Sequence, residues 1–316
     1  MRLIITISIA TFLTSCNPLF QKTNNMEEHT SAQLGAGKNE TKDAVSNNDT
    51  TPKVIGIGGI FFFSDNPKET NEWYKENLGL ETSQYGASFE SRNLNKPEEI
   101  NTFQWTLFKK GSDYFAPSKK EFMINYRVQN IEGLVKKLME NGTTILDSIA
   151  TYEYGKFVHI LDPEGNKIEL WESIDEQRNV PAEIISANDT TAKVNGIGGI
   201  FFFSDNPKET KEWYSKNLGL EINEWGSSSF ESRNIDKPGE INTLQWTLFK
   251  NGSDYFAPSK KEFMINYRVQ NIEELVKNLN EKGTTILDSI ATYDYGKFVH
   301  ILDPEGNKIE LWEPIY

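Results

Sequence analysis

The side chains able to do chemistry in this sequence fall into two matching pairs. His159 and Glu169 stand ten residues apart in GKFVHILDPEGNKIELWE, and His300 and Glu310 keep the same spacing in a second copy of that segment. A histidine and a carboxylate on neighbouring strands can act as a general acid–base pair, and a nearby arginine (Arg127, Arg268) can clamp an anion. The plainer alternatives stay open. His159, flanked by Val158 and Ile160, also reads as a satisfied strand histidine, and Glu169 with Arg127 as a partly buried ion pair. The chain has three histidines (His29, His159, His300) and one cysteine, Cys16. One cysteine permits neither a disulfide framework nor a cysteine-built zinc site. One histidine per pair leaves no 2-His-1-carboxylate site within either copy.

The elements that must position these residues also come twice. GIGGIFFFSDNPKET at 56–70 recurs at 196–210, GSDYFAPSKKEFMINYRVQNIE at 111–132 recurs at 252–273, and YGKFVHILDPEGNKIELWE at 154–172 recurs at 295–313. Each repeat is about 120 residues long, a domain rather than a solenoid unit. In the first, β-rich runs are predicted at 54–63, 85–91, 100–109, 121–128, 143–152, 156–161 and 167–172. Asn66-Pro67 starts a helix that Gly79 stops. Ile131, Leu134, Val135, Leu138 and Met139 form an amphipathic stripe on a second helix over 131–140. Alternation puts Met123, Asn125 and Arg127 on one strand face, and Lys167, Glu169 and Trp171 on another.

With 316 residues and a formal net charge of −13, the chain is suited neither to nucleic acid nor to electrostatic adhesion on an anionic membrane. Residues 1–16 follow the order of a secretory signal peptide, one positive charge, an apolar run and small residues. Their end, Leu13-Thr14-Ser15-Cys16, resembles a lipoprotein lipobox, which implies lipidation at Cys16 and an anchor in the bacterial cell envelope. The expected organisation is a signal over 1–16, a polar tether over 17–52, domains over 53–173 and 193–316, and a linker over 174–192. His29 falls in the tether and is expected to be idle.

NPKETNEWYKENLGLE, FMINYRVQNIEGLVKKL and GKFVHILDPEGNKIELWE resemble, in order and spacing, motifs of the vicinal oxygen chelate superfamily, which includes glyoxalase I, extradiol dioxygenases and bleomycin resistance proteins. The resemblance covers most of both repeats. It implies an α+β fold of two tandem domains, each of paired βαβββ modules whose curved sheets form a cup. Carried onto this chain, the superfamily's four metal-ligand positions fall at Gly59, Trp105, Met123 and Glu169, and at Gly199, Trp246, Met264 and Glu310. Only the glutamates keep a ligand type, so no metal is expected and a divalent cation is disfavoured. The cup is then expected to be lined by Trp105, Met123, Asn125 and Arg127 (Trp246, Met264, Asn266, Arg268), with Tyr114–Ser118 as a loop over its mouth. The leading expectation is an anchored protein binding a small molecule, with its two domains pairing or the chain dimerising. A lyase or isomerase using His159/Glu169 and His300/Glu310 is the second reading, and a non-catalytic envelope interaction module the third.

Overall fold

A computed structural model describes residues 49–174 and 189–315. Cys16 with the signal-like segment, most of the tether and most of the linker lie outside the described residues. In the first repeat the order is β1 (Lys53–Ser64), α1 (Pro67–Leu78), β2 (Ala87–Arg92), β3 (Ile100–Lys109), β4 (Phe122–Gln129), α2 (Ile131–Glu140), β5 (Ala150–Tyr152), β6 (Gly155–Leu161) and β7 (Lys167–Ser173). The second repeat follows it with β8 (Lys193–Ser204), α3 (Pro207–Trp213), β9 (Ser227–Arg233), β10 (Ile241–Lys250), β11 (Phe263–Gln270), α4 (Ile272–Glu281), β12 (Ala291–Tyr293), β13 (Gly296–Leu302) and β14 (Lys308–Pro314).

Both helices of the first repeat begin and end where sequence chemistry puts them. Pro67 opens α1, and Gly79 closes it in the left-handed region at φ 70, where a Cβ would be strained. Asn66, expected to cap α1, makes no side-chain cap. On α2, Ile131, Leu134 and Leu138 are buried, whereas Met139 lies past the edge of the stripe and is 64% exposed. The run predicted at 143–152 is a strand only over β5, with one isolated bridge at Ile145.

The fourteen strands of the described residues join one sheet in the order β12-β13-β14-β11-β8-β10-β9-β2-β3-β1-β4-β7-β6-β5. The first module of each repeat thus has three strands and the second four, one strand fewer per domain than paired βαβββ modules would give. The repeats meet edge to edge at β2 and β9, through Arg92 opposite Arg233.

One sheet face carries a core shared by both repeats. Phe62, Phe122, Phe202 and Phe263 pack ring to ring across the seam at centroid distances of 5.3–5.4 Å. Trp105 Nε1 donates to Tyr267 Oη at 2.7 Å, and Trp246 Nε1 to Tyr126 Oη at 2.8 Å. Tyr74 Oη donates to Asp303 at 3.0 Å, and Tyr214 Oη to Asp162 at 2.9 Å.

The cap missing from Asn66 comes from the other repeat. Glu305 accepts from the amides of Asp65 (2.9 Å) and Asn66 (3.1 Å) and from the hydroxyls of Ser64 (2.5 Å) and Thr70 (2.8 Å). Glu164 does the same for Asp205, Asn206, Ser204 and Thr210 at the start of α3. A carboxylate at a helix N-terminus satisfies orphan amides and faces the positive end of the dipole. Both glutamates accordingly have depressed pKa values, the hydrogen bonds outweighing the opposing effect of burial.

Candidate functional site

The opposite sheet face, the cup side, is organised in rows set by strand register. Gly59 pairs with Gln104 on β3 and with Asn125 on β4, Asn125 with Glu169 on β7, and Glu169 with His159 on β6. The row Gln104–Gly59–Asn125–Glu169–His159 therefore runs straight across five strands. On one side of it Phe61 pairs with Met123. On the other, Arg127 pairs with Trp171, and Trp171 with Phe157.

Within the central row the side chains form one hydrogen-bonded cluster. His159 Nε2 lies 3.0 Å from Glu169 Oε2, and Nδ1 lies 2.6 Å from Asp147 Oδ2. Asp147 also accepts the His159 backbone amide at 2.8 Å. Asn125 Nδ2 donates to Glu169 Oε1 at 2.6 Å, and Tyr114 Oη donates to Glu169 Oε2 at 3.2 Å. Lys167 Nζ donates to the Tyr114 carbonyl at 2.6 Å and lies 5.1 Å from that ring's centre. The second repeat reproduces the cluster with Asp288, His300, Glu310, Asn266, Tyr255 and Lys308.

The electrostatics favour a charged imidazole. Burial opposes charge on His159, but hydrogen bonds to Glu169 and Asp147 outweigh it and hold its pKa above the ordinary value. For His300 the same balance, with Asp288 and Glu310, raises the pKa to about 9. Burial pushes Tyr114 up, with the Glu169 charge adding to it. It also lowers Lys167, against the pull of Asp147, Glu169 and Asp113. The imidazolium so held donates from both ring nitrogens, one to each carboxylate.

Of the residues singled out in the sequence, His159, Glu169, Asn125 and Arg127 share the cup side, as do His300, Glu310, Asn266 and Arg268. Met123 and Met264 face the same side but are fully buried, packed with Phe61 and Phe115 and with Phe201 and Phe256. Trp105 and Trp246 are a correction. Trp105 pairs with Ile60 and shares its parity, so it points into the shared core against Tyr267, and Trp246 mirrors it against Tyr126. The β3 residues on the cup side are Gln104, Thr106 and Phe108. The loop at 114–118 does not merely cover the mouth: Phe115 stacks on Phe63 at 4.3 Å and fills the cup beside Met123. Arg127 does not pair with Glu169; it donates to Ser173 Oγ at 2.9 Å and lies 5.3 Å from the Trp171 ring centre. Sequence reasoning missed Asp147 and the Tyr114 hydroxyl. No sequence pattern signals Asp147; the 145-to-160 bridge of the fold brings its segment against His159.

The superfamily's metal can be tested against these positions. A Cβ on Gly59 would lie 2.6 Å from the Gln104 carbonyl oxygen, and one on Gly58 would lie 2.0 Å from Asn125 Oδ1, so no ligand side chain fits on that stretch of β1. Asn125 turns its N–H, not a lone pair, toward Glu169. The remaining carboxylate already accepts from three donors. No group of three or more His, Cys, Asp or Glu suited to a metal occurs among the described residues. This donor set does not fit a divalent cation.

Residues 196–311 match the model of the Glyoxalase/Bleomycin resistance protein/Dioxygenase superfamily. No curated protein matches the chain. Among solved structures, the chain is similar to the Mn(II)-bound glyoxalase from Novosphingobium aromaticivorans, with 12% identity, TM-score 0.54 and 83% of each chain covered. It is also similar to the 2,3-dioxygenase LapB from Pseudomonas sp. KL28, with 14% identity, TM-score 0.54, 84% of this chain and 93% of that one. Homoprotocatechuate 2,3-dioxygenase from Arthrobacter globiformis gives 15% identity and TM-score 0.52 over 84% of this chain and 81% of that one. At such identities the likeness establishes fold alone. The fold is the expected α+β fold, with the mixed curved sheet shared by these structures.

Proposed function

We propose that this chain, whose residues 196–311 form a domain of the Glyoxalase/Bleomycin resistance protein/Dioxygenase superfamily, is a small-molecule-binding protein held at the bacterial cell envelope by a lipid on Cys16, and that its cups work without a metal. The observation that carries this reading is the central row, where the carried-over ligand position Gly59 has no side chain and the other one in the row, Glu169, is already bonded to Asn125, Tyr114 and His159. A proton-abstracting base needs a free lone pair in reach of substrate. His159 as imidazolium has none, and Glu169 is engaged by Asn125, Tyr114 and His159. Binding is therefore favoured over lyase or isomerase chemistry. Phe115 and Met123 fill the inner cup, which supports an outer-half site beside Arg127, Trp171 and Phe157. The filled inner cup also favours the third reading, an interaction module of the envelope.

Two measurements on a soluble form beginning after Cys16 test the proposal. Elemental analysis after incubation with Ni, Zn, Mn and Fe is expected to find no stoichiometric metal. About one tightly held ion per repeat would overturn the metal-free reading and bring glyoxalase and dioxygenase assays forward. A thermal-shift ligand screen is expected to give hits retained in Glu169→Gln/Glu310→Gln; turnover abolished by that variant would establish the enzyme instead.

A further inference from the structure

The hairpin of β5 and β6 turns through Tyr152-Glu153-Tyr154-Gly155, and its tyrosines are 51% and 62% exposed. Their rings are parallel, 5° apart in plane and 5.5 Å between centres. Phe157 stands across both at 64° and 67°, and itself lies parallel to Trp171 at 5.9 Å and 9°. Four rings thus make a corner on the outer half of the cup, two tyrosines as one wall and Phe157 with Trp171 as the other. The corner is built, not incidental. Trp171 Nε1 donates to the Tyr154 carbonyl at 3.1 Å. Gly155 has φ +141, and a Cβ there would lie 2.4 Å from that indole nitrogen. Arg127 covers part of Trp171, and the two tyrosines are the exposed wall of the corner.

The second repeat keeps the ring geometry, with its tyrosines half-buried rather than exposed. Tyr293 and Tyr295 are parallel at 5.4 Å and 6°, Phe298 crosses both at 65°, and Phe298 lies parallel to Trp312 at 6.0 Å. At the turn, Glu153 is replaced by Asp294. The two differ in length and share only a negative charge. Both are exposed, and neither makes an ion pair among the described residues.

We propose that the corner binds a soluble organic ammonium cation, quaternary or N-methylated. Aromatic faces attract such weakly hydrated cations electrostatically, and perpendicular walls let two sides of one tetrahedral headgroup make contact at once. The retained carboxylate and the net charge of −13 raise the local concentration of cations and repel aromatic anions. The assignment names a ligand class for the outer cup and so rests on the small-molecule reading above.

The test titrates the full chain with choline and with 3,3-dimethyl-1-butanol, its uncharged isostere, reading binding by ligand-observed NMR. Choline is expected to bind at least about tenfold more tightly than the isostere. Tyr152→Leu/Tyr154→Leu combined with Tyr293→Leu/Tyr295→Leu should abolish that binding with the melting temperature kept. Glu153→Gln with Asp294→Asn should weaken it about two- to threefold. Equal binding of the isostere overturns the cation assignment while the small-molecule reading stands. Choline binding unchanged in the tyrosine variant overturns the location. No choline binding overturns the proposal outright, whereas the wider reading falls only if the thermal-shift screen also finds no ligand.

Discussion

His159 and His300 sit in surroundings that match almost atom for atom, on scaffolds that do not. In both repeats the histidine lies 3.0 Å from its glutamate and 2.6 Å from its aspartate, and the asparagine lies 2.6 Å from the glutamate. Beneath them, α1 runs unbroken over Pro67–Leu78, whereas α3 stops at Trp213 and widens into a π-helical turn over Tyr214–Leu218. Asn130 caps α2 through the Gly133 amide at 3.0 Å; Asn271 makes no such cap on α4, where Glu274 stands in the place of Gly133. The site survives these differences because its geometry is set by the registers of β4, β6 and β7, where the repeats are identical except for Ser173 against Pro314 at the end of the last strand. Helix ends absorb the divergence, and the row across the sheet does not feel it.

The shared core gives the sharpest way to break this picture of two equivalent halves. Trp105→Ala opens a cavity at the seam and removes the partner of Tyr267, so a loss of about 3–5 kcal/mol is expected. Calorimetry should show one transition moving as a whole; two separated transitions would mean that the halves fold independently. A pH series separates the two sites. The raised pKa of His300 means the folded state holds its proton more tightly than the unfolded chain does. That stabilisation is complete below about pH 6.5, the unfolded value, and fades as pH rises through about 9. It amounts to something on the order of 3 kcal/mol. NMR titration of the imidazoles should find both above their ordinary value, and His300 titrating near 7 would refute the charged cluster.

Smaller effects sharpen the comparison. Glu305→Gln and Glu164→Gln should each cost about 1–3 kcal/mol, by weakening a charge-assisted cap on the other repeat's helix. Chemical denaturation should give the two variants matching losses, and a neutral result for either would remove the clamp from that side. Smallest is the capping difference. Asn130 and Asn271 both hold left-handed φ near 55°, so changing either to Ala costs the same backbone strain. Only Asn130→Ala also loses a cap, and it should be about 1 kcal/mol worse than Asn271→Ala; equal losses would show that the cap adds nothing.

Local rules carried much of this structure. The repeat, both helix spans of the first domain and the hairpin at Asp162–Gly165 follow from residue spacing and turn chemistry. Alternation placed Asn125, Arg127, Glu169 and Trp171 correctly because β4 and β7 are short and unbulged where it was applied. The position carried over from the superfamily failed at Trp105, whose facing depends on pairing β3 in parallel with β1, a long-range register that no local pattern encodes. Asn66 has every mark of an N-cap, yet the cap is Glu305, 239 residues away. Asp147 lies on an irregular segment where periodicity is silent, and only the fold reveals that it completes the histidine's second hydrogen bond.

The contacts across the seam come in exchanged pairs: Trp105 with Tyr267 and Trp246 with Tyr126, Glu305 on α1 and Glu164 on α3, Lys120 with Glu262 and Lys261 with Glu121. Such reciprocity is the hallmark of an isologous two-fold dimer, in which one patch is its own complement. Written into a single polypeptide, the association becomes intramolecular, and dilution no longer opposes it. A homodimer must accept every substitution twice, once in each protomer. This chain accepts each one once, so either repeat is free to diverge while the other holds the pair together.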